Sequence, residues 1–278
     1  MPSPRSVAIL LGREVKDAWR NKWFLLYAGT FTLLALGLSW LSVTGVARTG
    51  YASLGRTAAS LLNLVILIVP LMGLSLGVQA IVSERERGSL LYLLAQPVDV
   101  LEILLGKFLG ISAAVLGALL LGFAVAAMAM SGRAGGGQVG SYLAFVGAAA
   151  LLACATVSLG LLISTLTSRT SVAAGIGIFT WLILVFAGDL GLMGTALAVE
   201  VDVRTLLMAT LANPLQVFKM VAVLILRGGL EALGPAGLYA TRNWGGELLP
   251  LLAGILLLWI VVPLAVAGWT LKRRGGIP

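Results

Sequence analysis

Ser60-Leu61-Leu62-Asn63-Leu64-Val65-Ile66-Leu67-Ile68-Val69-Pro70-Leu71-Met72-Gly73-Leu74-Ser75-Leu76-Gly77-Val78-Gln79-Ala80-Ile81-Val82 is a run of 23 residues without a charged side chain. As a helix it would reach roughly 34 Å, against about 30 Å of hydrocarbon in a bilayer. Its polar residues are few, and Pro70 is tolerable in a membrane, where neighbouring helices supply the missing partner. The run therefore reads as a membrane span.

Five further runs read the same way, near Phe24–Val43, Ile103–Met130, Ser141–Leu166, Val172–Met193 and Leu248–Leu271. Composition agrees: 59% of the residues are hydrophobic and only 11% charged, against about 25% charged in soluble domains. Too few charges remain to cover a water-soluble body. The expected fold is all-α and polytopic, with about six transmembrane helices in one membrane domain over residues 1–278. Little chain is left for a soluble domain.

The formal net charge is +8. In a membrane protein this reads as basic residues at helix ends facing anionic lipid, and no nucleic acid is expected as a partner. There is no histidine and one cysteine, Cys154. Imidazole acid–base chemistry, the Ser-His-Asp arrangement, histidine-based zinc sites and an intrachain disulfide are thereby excluded. The first apolar run follows a charged segment and lacks a small-x-small cleavage site. It is expected to stay as a span rather than act as a removable signal.

Residues 5–22 put Leu11, Val15, Ala18 and Trp19 on one helical face and Arg13, Lys16, Asp17 and Arg20 on the other. This pattern predicts a basic amphipathic helix in the membrane interface. With the N-terminus inside, 12 of the 19 lysines and arginines fall on the inner side. Both termini are therefore expected to be cytoplasmic. The long segment 194–247, on the outer side, is not hydrophilic. Its stretch Leu215–Leu226, interrupted by Lys219, is short for a span and predicts a re-entrant or interfacial helix, while the competing reading, a seventh span, would put Lys272–Arg274 outside.

The loop after the quoted run reads Ser83-Glu84-Arg85-Glu86-Arg87-Gly88-Ser89-Leu90-Leu91-Tyr92-Leu93-Leu94-Ala95-Gln96-Pro97. Four alternating charges and a glycine precede a short apolar run closed by proline. Ser89 suits an N-cap and Pro97 a stop. A two-turn helix there has only lipid or a partner against which to bury its leucines, which makes it a docking element. The bland alternative is a charged connector touching headgroups.

The pattern Glu-x-Glu-x-Gly-Ser-Leu-x-x-Leu-Leu-x-x-Pro-Val over Glu84–Val98 resembles the coupling region of ABC-2 type exporter permeases. The order of parts is similar over essentially the whole chain: a basic interfacial helix, six spans and a long outer loop between the fifth and sixth. The likeness continues into Leu104-Leu105-Gly106-Lys107. It implies a homodimeric permease in a bacterial or archaeal cytoplasmic membrane, with a separate ATPase subunit docked on the 84–97 coupling helix. Glu84, Glu86, Gly88, Leu90, Leu91, Leu94 and Pro97 are the docking residues so implied. ATP and magnesium would belong to that partner, and no cofactor to this chain.

Within the class, Gly12–Trp23 and Ala212–Lys219 are similar to the branch that serves nitrous-oxide-reductase maturation. That likeness implies a periplasmic maturation partner involved in copper-site assembly, met through Asn213, Pro214, Gln216 and Lys219. Gln216 and Lys219 stand where the branch tends to have an acidic residue and an arginine.

The chain offers no nucleotide site of its own. A P-loop needs Gly-x-x-x-x-Gly-Lys-Ser/Thr, and around Gly106-Lys107 position 101 is leucine and Phe108 replaces the hydroxyl. It is expected to be a transporter subunit and not an enzyme. Met128, Met130, Met193, Met208 and Met220 are soft enough for Cu(I), but methionine also fills gaps in apolar packing, so no metal site is assigned. Asn63, Gln79, Glu102, Arg169 and Asp189 are expected near span ends. The pairs Gly73/Gly77 and Gly106/Gly110 read as helix-packing points. Two other functions compete: an ABC exporter of lipid, drug or peptide, and a non-ABC channel or scaffold.

Overall fold

The computed structural model describes residues 4–44, 50–88, 99–130, 139–197, 203–227, 230 and 235–274. Among these there are no strands. In chain order the helices are α1 (Pro4–Arg20), α2 (Lys22–Thr44), α3 (Gly50–Gly77), α4 (Val82–Glu86), α5 (Val100–Met130), α6 (Val139–Leu166), α7 (Thr170–Leu197), α8 (Val203–Leu211), α9 (Pro214–Arg227), α10 (Pro235–Trp244) and α11 (Leu248–Arg274). A 3₁₀ turn, Gly245–Glu247, joins the last two.

Among the described residues, six helical stretches are long and apolar enough to cross a membrane, or seven if the bent pair α8–α9 counts as one span. The expected all-α, six-span fold is therefore present. The expected boundaries hold to within a few residues, except that α3 begins at Gly50, ten residues before the run that reads as apolar.

α6 is the hub. It packs against α3, α9 and α11, and its inward residues run from Phe145 through Leu152, Val157 and Leu161. Such a helix is apolar all round because it is covered on several sides. Small residues set the spacing. A Cβ on Gly77 would lie 2.9 Å from the Gly160 Cα, and one on Gly73 would collide with the Thr156 hydroxyl. Those glycines let two backbones touch, which is how helices gain dispersion contact where lipid offers no hydrophobic drive.

Pro70 and Pro263 lie within α3 and α11. Each ring removes a backbone donor and disturbs the preceding turn. In both helices the carbonyl three residues before the proline accepts from another helix. The Trp181 indole N–H donates to Leu67 O at 3.0 Å, and the Ser158 hydroxyl donates to Ile260 O at 2.6 Å. The sequence predicts this tolerance, and neighbouring side chains supply it.

α2 and α7 are covered far less than the hub. α2 exposes Leu25, Leu26, Leu33, Leu34, Leu36 and Trp40, and α7 exposes Ile176, Ile178, Phe179, Ile183 and Phe186. Contiguous apolar surface of this kind belongs against lipid or another protein.

Candidate functional site

One end of the bundle gathers the charged chemistry. There α3 and α6 finish, α5 and α7 begin, and α1 lies across α5. α3 stops at Gly77 and the chain turns over residues 78–81 before α4. The backbone N–H groups of Ile81 and Val82 donate to the Ser164 hydroxyl of α6 at 3.0 and 2.9 Å. The N-terminus of α4 is thus capped by another helix, and the serine stands in for the local cap that Ile81 cannot provide.

The four charges of the loop then divide. Glu84 points inward and accepts from Lys107 Nζ at 2.9 Å. Buried Arg85 donates through Nη1 to the carbonyls of Thr165 at 3.4 Å and Thr167 at 2.6 Å. It therefore places a cation on the C-terminal end of α6, where the orphan carbonyls and the helix dipole favour one. Glu86 accepts from the Thr170 N–H at 3.0 Å and from the Thr170 hydroxyl. That carboxylate caps the N-terminus of α7. Arg87 stays exposed. Three consecutive residues of one short turn thus tie it to α5, α6 and α7.

Gly88 ends the turn at φ +73°, a conformation that glycine adopts without a Cβ penalty. The expected 84–97 coupling segment is therefore not helical across Gly88, and the break falls just before Ser89, the residue expected as an N-cap. Glu84 and Glu86 bind their own chain, and the backbone changes direction at Gly88 before the apolar residues. Leu90, Leu91, Leu94 and Pro97 lie outside the described residues.

Lys107 was legible only as one more inner-side cation. It is 2% exposed, and its ammonium bridges Glu14 of α1 at 2.7 Å and Glu84 of α4 at 2.9 Å. Arg13 adds a longer contact to Glu84 at 4.0 Å. Burying an ammonium is costly unless it is paired and hydrogen-bonded, and here two carboxylates do both. Glu102, expected at an interface, is likewise buried.

α1 packs along α5. Leu10, Leu11 and Glu14 meet the Gly106/Gly110 edge of α5, and Ala18 is buried. Trp19, expected on the apolar face, is 40% exposed and meets the Phe24 ring edge-on at 5.7 Å. Arg13, Lys16, Asp17 and Arg20 face outward as expected. Asn21 caps α2 by accepting from the Trp23 N–H at 3.0 Å.

A polar cavity of about 360 Å³ opens beside the lysine, lined by Arg13, Glu14, Asp17, Gln79, Glu84 and Arg87 among others. An apolar one of about 450 Å³ lies among α8, α9, α10 and α11, with Leu207, Met208, Met220, Tyr239, Trp244 and Leu252 in its wall.

In the 194–247 segment, α8 and α9 meet at 104° across Ala212 and Asn213. Asn213 Oδ1 accepts from the Leu215 N–H at 2.9 Å, while its Nδ2 donates to Leu184 O of α7 at 2.7 Å. Pro214 follows at the first helical position, where its missing donor costs nothing. Asn213, Pro214 and Gln216 are buried and Lys219 is half-buried. Of the four residues expected to meet a partner, three are thus enclosed by their own chain. α9 packs into the bundle against α6 and α11, and the bent α8–α9 pair fits either the expected re-entrant element or a broken seventh span.

Comparison with known proteins fits this architecture. Residues 8–275 match the ABC-2 family transporter protein. Two relatives described as "Probable ABC transporter permease protein NosY", from Pseudomonas aeruginosa and Stutzerimonas stutzeri, are each 31% identical over 272 residues, covering 94% of this chain and 96% of theirs. With its apolar helical bundle and this match along nearly all of its length, the chain belongs to the ABC-2 family of transporter membrane subunits.

Proposed function

We propose that this subunit works as a homodimer with a separate cytoplasmic ATPase, which docks on the segment that leaves the α4 turn. The anchoring of that turn carries the reading. Glu84, Arg85 and Glu86 hold it to three helices, with Ser164 capping its start. A force applied just beyond Gly88 would reach the span ends without first stretching a slack loop. The apolar residues Leu90, Leu91 and Leu94 supply the docking surface, and both termini lie on the ATPase side. ATP and magnesium belong to the partner.

On the opposite side, the bent α8–α9 pair passes movement to a periplasmic protein. Asn213, Pro214 and Gln216 shape that bend from inside, with Lys219 beside them. Likeness to the relatives described as NosY supports a role in copper-site maturation of nitrous-oxide reductase. The apolar cavity among α8, α9, α10 and α11 favours a second reading, export of a lipidic cargo.

The test replaces Leu90 and Leu94 with Asp. Charged side chains at buried contact positions are expected to weaken ATPase binding at least about tenfold, measured by co-purification in mild detergent. Retained binding contradicts the docking role. A periplasmic protein that co-purifies with the unaltered chain favours maturation. An ATPase alone, with nucleotide-dependent lipid movement in vesicles, favours export.

A further inference from the structure

We propose that Lys107 is a positioning residue that pins the interfacial helix α1 to the α4 turn, so that the two move together with the start of α5. The proposal rests on the reading of the α4 end as the place where the ATPase acts, and it assigns the internal part that spreads that action.

Three observations converge on this lysine. Its ammonium holds Glu14 and Glu84 at 2.7 and 2.9 Å, and these carboxylates come from two elements that are 70 residues apart in the chain. It is shielded from solvent, so the attraction is little screened by salt, unlike a surface pair. The site is also sterically built. Gly106 and Gly110 bracket the lysine, and a Cβ on Gly110 would lie 2.5 Å from the Glu14 Cβ and 2.9 Å from Leu11 O. Only glycine there lets α1 lie close enough for its glutamate to reach the ammonium.

The triplet carries a net charge of −1, and the lysine is what lets two carboxylates share the space. Without it they repel across a partly desolvated gap and must separate. The polar cavity beside them gives room for that separation, with Arg13 and Arg87 in its wall as alternative partners. The pin thus holds the observed arrangement, and losing it frees α4 from α1 without emptying the core.

The experiment measures the distance between spin labels at Lys16→Cys and Arg87→Cys in a Cys154→Ala background. Both label sites are exposed. The permease is studied in lipid nanodiscs, first alone and then with the ATPase, with and without ATP. The labelled chain is mixed with excess unlabelled chain so that a homodimer carries one label pair, and the parent should then give one narrow distribution that ATP leaves in place. The neutral variant Glu14→Gln/Glu84→Gln/Lys107→Met buries no unpaired charge and should still fold. It should broaden the distribution and let ATP shift it. The exchange Glu14→Lys/Lys107→Glu keeps one cation among two carboxylates and should narrow it again.

A neutral variant as narrow as the parent overturns the pin, because packing alone then holds the two elements. A broadened distribution that the exchange fails to narrow overturns the ionic basis. The measurement on the permease alone decides the pin even where no ATPase assembles, and that absence counts against the docking reading instead.

Discussion

At the scale of single residues, adjacent side chains of like type have opposite fates. Arg85 is buried on the carbonyls of Thr165 and Thr167, while Arg87, two positions on, is exposed. Hydrogen bonds to a charged group contribute about 1.5–3 kcal/mol, more than neutral ones. Arg85→Ala should therefore lower stability by about 2 kcal/mol, through the loss of a cation on a helix C-terminus. Arg87→Ala should stay within about 0.5 kcal/mol of the parent, as an ordinary surface change does. Thermal unfolding in detergent checks both. Equal effects would mean that the Arg85 contacts carry no special weight. The alternation Glu-Arg-Glu-Arg is plain in the sequence, but its division into inward and outward members is not. That division depends on where Lys107, Thr167 and Thr170 arrive, and tertiary structure alone brings them there.

At the scale of elements, glycines decide which helices touch. Gly160 faces Gly77 so closely that an added methyl group would lie 2.9 Å from a backbone carbon, whereas Gly175 has nothing within 4 Å of an added Cβ. Overpacking typically costs about 1–3 kcal/mol, and here the obstacle is backbone, which cannot rotate aside. Gly160→Ala should cost at least about 2 kcal/mol on that ground. Gly175→Ala should be neutral or slightly stabilising, by the helix preference of alanine of up to about 1 kcal/mol. A chemical or thermal unfolding series reads the difference, and a Gly160→Ala as stable as the parent would contradict the close α3–α6 contact. Small-residue spacing was visible in the sequence, and Gly73/Gly77 and Gly106/Gly110 do serve packing within the chain. Their partners were not visible, because spacing within one helix says nothing about its neighbour. The same holds for Asn213-Pro214. Its helix-starting chemistry is readable from residue types, yet only the fold reveals that the amide also reaches Leu184 on α7.

At the scale of the whole molecule, the long uncharged runs fixed the number of spans before any packing was known, since hydrocarbon thickness leaves few alternatives. Two features escaped that logic. One is the buried lysine, counted as a loop cation because it stands only seven residues into a helix of 31. The other is the tying of the turn before Gly88 to three helices through Glu84, Arg85 and Glu86, which alternating charge alone does not reveal. Both features lie at the α4 end, where elements distant in sequence meet. The lightly covered faces of α2 and α7 leave room for lipid and for a second copy, and the segment beyond Gly88 is where we propose that the ATPase docks. The most direct measurement is native mass spectrometry of the tagged chain, expressed with its neighbouring genes and released from mild detergent. A particle holding two copies of this 28.8 kDa chain and two ATPase subunits is the predicted result. An intact, folded permease that never carries an ATPase would contradict the account.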